Sequence, residues 1–170
     1  MAIDLELADC AAARSRLTAC QQAGPLCAHE PDCEAALYRL LARAAADRPG
    51  EDNPWEFRYR KFADINEKME RAGMGYPAQP RTWDSGDEND RPGNDDDWRA
   101  QTVPGRLGIP AFKLLSNDRW LITAKEIDEA LDAYTRTPDG LRTELETDQK
   151  WQDWLRWLAV ARDHGGFEAE

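Results

Sequence analysis

The spacing of apolar residues predicts two helices in the first third of the chain. Small apolar residues recur every three or four positions over residues 4–22, and many of them are alanine, the strongest helix former. The same spacing returns over residues 32–46. Gly-Pro at 24–25 and Arg-Pro-Gly at 48–50 interrupt the pattern, so we expect the two helices to end there.

A third helix is predicted to begin at Asn53. Asparagine is a good N-cap, Pro54 suits the first helical position, and Glu56 lies three residues after the cap. The apolar stripe that follows consists of Trp55, Tyr59, Phe62, Ile65 and Met69. Gly73 is the expected C-cap of this helix.

The pattern after residue 104 predicts two short strands and two helices. Residues 107–115 and 120–122 have the composition of strands. Thr123 and Glu126 form a capping-box sequence, which predicts the start of a helix. A final helix is predicted over residues 144–164, where the Gly-Gly pair that follows ends it.

Three tryptophans crowd this final helix. Trp151 and Trp154 fit its core-facing stripe, whereas Trp157 falls roughly 90° from the centre of the stripe at 100° per residue. Trp157 therefore lies off the predicted stripe, but filling of the core is the favoured interpretation of this group of tryptophans.

These elements predict an α+β, mainly α fold. A helical part over residues 1–73 is followed by an acidic, Pro- and Gly-rich loop over 74–104. A β-hairpin with two helices occupies residues 105–170, and the two structured parts are able to share one core. A loop of this length is unusual inside a compact domain, so it is expected to be a linker or to have a function of its own.

The charge balance narrows the classes of partner. The chain of 170 residues has a net charge of −11, which repels nucleic acid because no basic patch offsets it. No apolar run is long enough to span a membrane, and the first residues lack the pattern of a secretory signal. We therefore expect a cytoplasmic protein that binds neither nucleic acid nor membrane.

The acidic loop is the predicted partner-binding surface. Its composition resembles that of a calcium site, but its spacing does not match an EF-hand, so a solvated loop or a surface for a basic protein is favoured over a cation site. Tryptophans flank the acids, and tryptophan is enriched at binding hot spots. The predicted surface consists of Trp83, Asp84, Asp87, Glu88, Asp90, Asp95, Asp96, Asp97 and Trp98.

Four cysteines within 24 residues leave three interpretations open. They are small buried apolar residues, or they form two disulfides that pair Cys20 with Cys27 and Cys10 with Cys33 across a helical hairpin, or they bind a metal together with His29. The spacings fit the short C-x2–4-C pairs of zinc sites poorly. The weak metal candidates are Cys10, Cys20, Cys27, His29 and Cys33.

The sequence offers little for catalysis. Only two histidines are present, and His164, near the C-terminus of the last predicted helix, is expected to interact with the helix dipole. No serine has the context of a nucleophile, and no phosphate-binding glycine loop is present. Carboxylate pairs are numerous, but none is singled out, so an enzyme is disfavoured and no cofactor is predicted.

Two segments resemble small uncharacterised bacterial proteins. Residues 64–74 are similar to an "IN-x2-L-x2-AGL" stretch of those proteins. The end of the chain, from Trp151-x2-Trp154 to the His-Gly-Gly-Phe at 164–167, is similar to their "W-x2-W/F … HGGF" close. The resemblance implies a bacterial protein and no particular activity.

The sequence as a whole predicts a non-enzymatic protein that binds a basic partner protein, as an immunity protein, antitoxin or inhibitor does. An enzyme that uses carboxylates or a bound cation is one alternative. A metal- or redox-responsive module built on the cysteines is the other.

Overall fold

The computed structural model describes residues 3–23, 30–59, 62–81, 95–116 and 118–169, and these residues form an α+β, mainly α fold as predicted. The helices pack around a small four-stranded sheet. In chain order the elements are β1 Ile3–Leu7, α1 Ala8–Gln22, α2 Glu30–Asp47, β2 Glu56–Tyr59, α3 Phe62–Arg71, β3 Gly75–Tyr76, α4 Asp95–Arg99, β4 Ile109–Pro110, α5 Phe112–Leu115, β5 Trp120–Thr123, α6 Ala124–Thr135, α7 Asp139–Glu146, α8 Gln149–Asp163 and β6 Gly166–Ala169.

The four-stranded sheet joins the two predicted parts of the chain. Its strand order is β2-β1-β6-β5, and every neighbouring pair is antiparallel. Phe167 in β6 pairs with Leu7 on one side and with Ile122 on the other. A separate pair, β3 and β4, is parallel.

One hydrophobic cluster contains residues from both parts. It includes Leu5 and Phe57 from the N-terminal strands, and Trp154, Trp157 and Phe167 from the C-terminal elements. The rings of Trp154 and Trp157 each lie within 6.0 Å of those of Phe57 and Phe167, measured between centroids. Aromatic packing thus joins the sheet to α8 and adds orientation-dependent attraction to the burial of apolar area.

The structure corrects the first predicted helix. Residues 3–7 form β1, and the helix begins only at Ala8. Leu5 and Leu7 are completely buried, and alternation of this kind fits a strand once a partner strand is available to bond its backbone. The expected helix over 32–46 is confirmed as α2.

The third predicted helix is also wrong at its start. Residues 56–59 form the edge strand β2, where Phe57 pairs with Leu5, and α3 begins at Phe62. The Arg48 side chain donates hydrogen bonds to the carbonyl oxygens of Pro54 (2.8 Å) and Glu56 (2.7 Å). These bonds hold a turn at residues 54–55, where the cap signals favoured a helix, and the chain becomes extended at Glu56.

Several C-terminal predictions need correction. The strand expected over 107–115 is limited to β4, and residues 112–115 form the short helix α5. The predicted β-hairpin does not form, because β4 pairs with β3 whereas β5 pairs with β6. The expected final helix is two helices, α7 and α8, because Asp148 caps a new helix by accepting a hydrogen bond from the Lys150 N–H. Trp157, which lies off the predicted core-facing stripe, is completely buried because Phe57 and Arg48 cover it.

Other C-terminal predictions are confirmed. β5 covers residues 120–123, and α6 follows it with the predicted capping box between Thr123 and Glu126. Among the described residues no helix combines the length and the apolar character needed to cross a bilayer.

Candidate functional site

The α1–α2 hairpin contains the three described cysteines and the two carboxylates that contact His164. The two helices pack against each other along the hairpin. Asp9 in the first turn of α1 and Asp47 at the end of α2 both contact His164 at one end. Cys20 and Cys33 meet at the other end, beside the connection between the helices.

His164 is enclosed between two carboxylates. Its side chain is completely buried, Nδ1 lies 2.8 and 2.9 Å from the two carboxylate oxygens of Asp9, and Nε2 lies 3.1 Å from an oxygen of Asp47. The backbone N–H of Asp9 also donates to the His164 carbonyl oxygen at 3.3 Å. We call this group, Asp9, Asp47 and His164, the histidine clamp.

The clamp favours a protonated imidazole. The hydrogen bond to Asp9 raises the pKa of His164 above its ordinary value of 6.5, desolvation opposes this rise, and the hydrogen bond to Asp47 adds to it. An imidazolium donates from both nitrogens, so it satisfies both carboxylates at once. With both nitrogens engaged and no exposed surface, the ring holds the hairpin against the end of α8 and is not placed to act as a general base.

Cys10 lies next to the clamp. The polar atoms of Asp9, Cys10 and His164 are all within 4.8 Å of one another, and carboxylate, thiolate and imidazole are zinc ligands. Burial and the neighbouring charge of Asp9 raise the pKa of the Cys10 thiol to about 12. A metal would have to displace protons from both the thiol and the imidazole, so the arrangement is better suited to holding protons than to binding a cation.

Two of the three described cysteines lie together at one end of the hairpin, and the third lies at the other end. Cys10 lies at the clamp end of the hairpin, so the structure does not bring it together with Cys33, as one of the three open interpretations required. Cys33 instead lies with its Sγ 3.4 Å from the Sγ of Cys20. Cys27 and His29 lie outside the described residues, and with them the predicted pairing of Cys20 with Cys27.

Part of the predicted partner-binding surface lies on α4. Asp95, Asp96, Asp97 and Trp98 belong to this helix, whereas the other predicted members, Trp83, Asp84, Asp87, Glu88 and Asp90, lie outside the described residues. Asp97 is exposed. Trp98 is half-buried, and its ring packs 6.1 Å from that of Trp120 in the edge strand β5.

A second contact fixes α4 to the sheet. Arg99 forms an ion pair with Glu168 at 2.5 Å and donates from Nε to the carbonyl oxygen of Arg119 at 2.6 Å. Glu168 belongs to β6 and is 7% exposed. The acidic segment therefore ends in a helix with a defined position at the edge of the sheet.

A buried ion pair escaped the sequence analysis. The Lys113 ammonium donates to both carboxylate oxygens of Glu126 (2.8 and 2.9 Å) and to the carbonyl oxygen of Leu121 (2.8 Å), with no exposed surface. Desolvation lowers the pKa of Lys113, and the charge of Glu126 opposes that effect. The only local signal was the predicted capping box, in which Glu126 already had a role.

A charged cleft of about 430 Å³ lies beside β2. Arg48 and Lys150 line it together with Glu51, Asp52 and Asp153. The Arg48 guanidinium lies over the Trp157 ring, 5.0 Å from its centroid. Because charges of both signs line the cleft, it has no clear preference for an anion or a cation.

The chain was also compared with protein-family models, with curated proteins and with solved structures, and none of them matches it. A functional conclusion therefore depends on the residues and their geometry.

Proposed function

We propose that this protein is a non-enzymatic, acidic protein-binding protein that engages a basic partner, as an immunity protein, antitoxin or inhibitor does. The observation that carries the proposal is the anchoring of α4. Three successive aspartates, Asp95 to Asp97, belong to a helix that Trp98 and Arg99 fix to the edge of the sheet.

The charge of the chain supports this proposal. A net charge of −11 accelerates encounter with a basic protein and disfavours acidic competitors. An acidic group on a fixed helix also loses less conformational entropy on binding than one on a free chain. Trp98, half-buried against Trp120, adds an aromatic side chain of the kind that is enriched at binding hot spots.

The reactive side chains are occupied by contacts within the fold, which also favours a binding protein over an enzyme. Both nitrogens of His164 contact carboxylates, and the Lys113 ammonium contacts three oxygens within the fold. Cys10 is buried, and its thiol pKa of about 12 makes it a poor nucleophile. In the described part of the chain these groups stabilise the fold and do not converge on an open pocket.

The test is a comparison of two variants with equal charge. The D95N/D96N/D97N variant removes three charges from α4. The D64N/D128N/D132N variant removes three from exposed positions on α3 and α6. Each protein is immobilised as the full chain, incubated with lysate of the native host and eluted with a salt gradient, and circular dichroism verifies that each variant is folded.

We expect wild type and the D64N/D128N/D132N variant to retain the same basic protein, which salt releases. The α4 variant should bind it about tenfold more weakly, since three surface charge contacts of about 0.5 kcal/mol each correspond to that factor. Equal retention by the two variants would exclude the α4 surface. Failure of the wild-type chain to retain any basic protein would contradict the proposed function itself.

A further inference from the structure

Cys20 and Cys33 bring two sulfur atoms together at the connected end of the α1–α2 hairpin. Cys20 lies near the end of α1, Cys33 lies in the first turn of α2, and the two Sγ atoms are 3.4 Å apart. Both residues are half-buried, so small-molecule thiols and disulfides can reach this end of the hairpin. The other end is already held by the histidine clamp.

We propose that Cys20 and Cys33 are a reversible oxidation site, at which a disulfide joins α1 to α2. A disulfide has an S–S bond of about 2.05 Å, so the sulfurs must approach by about 1.3 Å. Side-chain rotation and a small adjustment of the helix ends supply a movement of this size. Cys10 lies at the opposite end of the hairpin and takes no part in this disulfide.

The oxidant is a low-molecular-weight disulfide such as oxidised glutathione. One protein thiolate attacks a sulfur of the oxidant, which forms a mixed disulfide and releases one glutathione thiolate. The second protein thiolate then attacks the protein sulfur of that mixed disulfide, forms the Cys20–Cys33 bond and releases the second glutathione. The two cysteines together lose two protons and two electrons, and the oxidant is reduced to two thiols.

Cys10 provides a control within the same molecule. It is completely buried, and burial with neighbouring carboxylates raises the pKa of its thiol to about 12. Thiolate is the attacking species, so Cys10 should remain reduced under conditions that oxidise the other two. Selective oxidation of one pair is therefore the expected pattern.

The consequence of oxidation is a hairpin fixed at both ends. The histidine clamp joins the start of α1 and the end of α2 to α8, while the disulfide would join the end of α1 to the start of α2. The disulfide closes the loop from Cys20 to Cys33, and a loop of this length is expected to raise the melting temperature of the protein by about 6–12 °C. Reduction by dithiothreitol should reverse the change.

The experiment uses the full-length C27S variant, which removes the nearest competing cysteine in the sequence. The protein is reduced, freed of reductant and incubated with oxidised glutathione. It is then unfolded in urea, and the remaining thiols, including the buried Cys10, are capped with iodoacetamide. Digestion with trypsin and Asp-N separates the three cysteines into peptides 9–14, 17–31 and 32–39, which mass spectrometry identifies.

We expect peptide 17–31 joined to peptide 32–39, with the cysteine of peptide 9–14 alkylated. Full alkylation of all three cysteines would overturn the proposal, and so would a link between peptides 9–14 and 32–39. A C27S/C33S variant serves as the matched control and should show no redox-dependent shift in melting temperature. An equal shift in this control would also overturn the proposal.

Discussion

The histidine clamp makes a strong prediction about stability and pH. Replacing His164 with alanine removes the contacts to both Asp9 and Asp47. A hydrogen bond to a charged group contributes about 1.5–3 kcal/mol. The side chains of Asp9 and Asp47 are 24% and 41% exposed, so water replaces part of each lost contact. The low end of that range therefore applies to each hydrogen bond. The H164A variant should therefore lose about 3 kcal/mol at pH 6.

The loss should depend on pH in a defined direction. Because the folded state raises the pKa of His164, it binds the proton more tightly than the unfolded chain does. The stabilisation is fully present below the unfolded pKa of about 6.5 and is lost as the pH rises through the higher folded value. The destabilisation caused by H164A should accordingly be larger at pH 6 than at pH 9.

Urea denaturation of wild type and H164A, followed by tryptophan fluorescence at pH 6 and at pH 9, measures both effects. The H164N variant is the matched control, because an asparagine amide can still donate to one of the two carboxylates and should recover part of the loss. An H164A variant that loses the same free energy of unfolding at both pH values would show that the imidazolium is not the stabilising species. A loss below about 1 kcal/mol at pH 6 would show that the clamp contributes little.

Two further predictions concern the core. The K113M variant should lose about 3–5 kcal/mol, because Glu126 would remain buried without its cation, whereas K125M, at an 85% exposed side chain, should lose less than about 1 kcal/mol. Equal losses in urea denaturation would contradict a special role for the buried pair. The G166A variant should lower the melting temperature far more than G165A. Both glycines have positive φ, but only at Gly166 would an added Cβ lie 2.0 Å from a backbone oxygen, that of Ile122. Similar melting temperatures for these two variants would contradict that close approach of β6 to β5.

Local signals in the sequence determined several elements correctly. The capping box at Thr123 and Glu126 positioned the start of α6, and the regular apolar spacing over 32–46 identified α2. The mainly α class followed from signals of this kind. They are readable because a helix and its cap depend on residues only three or four positions apart.

Tertiary structure decided the elements whose partners are distant. Residues 3–7 and 56–59 have apolar patterns too short to distinguish the period of a helix from that of a strand. Each segment forms a strand because the other supplies its backbone hydrogen bonds. β6 then entered the middle of the sheet and joined β1 to β5. The burial of Trp157 has the same origin, since a helical wheel contains no information about the strand that covers it.

The candidate sites show the same difference between local signals in the sequence and contacts between distant residues. The sequence alone identified a cysteine-rich helical hairpin and an acidic segment, because composition and spacing are local properties. It could not pair His164 with Asp9, 155 residues away, or with Asp47, 117 residues away. Nor could it separate Cys10 from the sulfur pair, because the register between two packed helices determines which side chains meet, and that register is set by the folded chain.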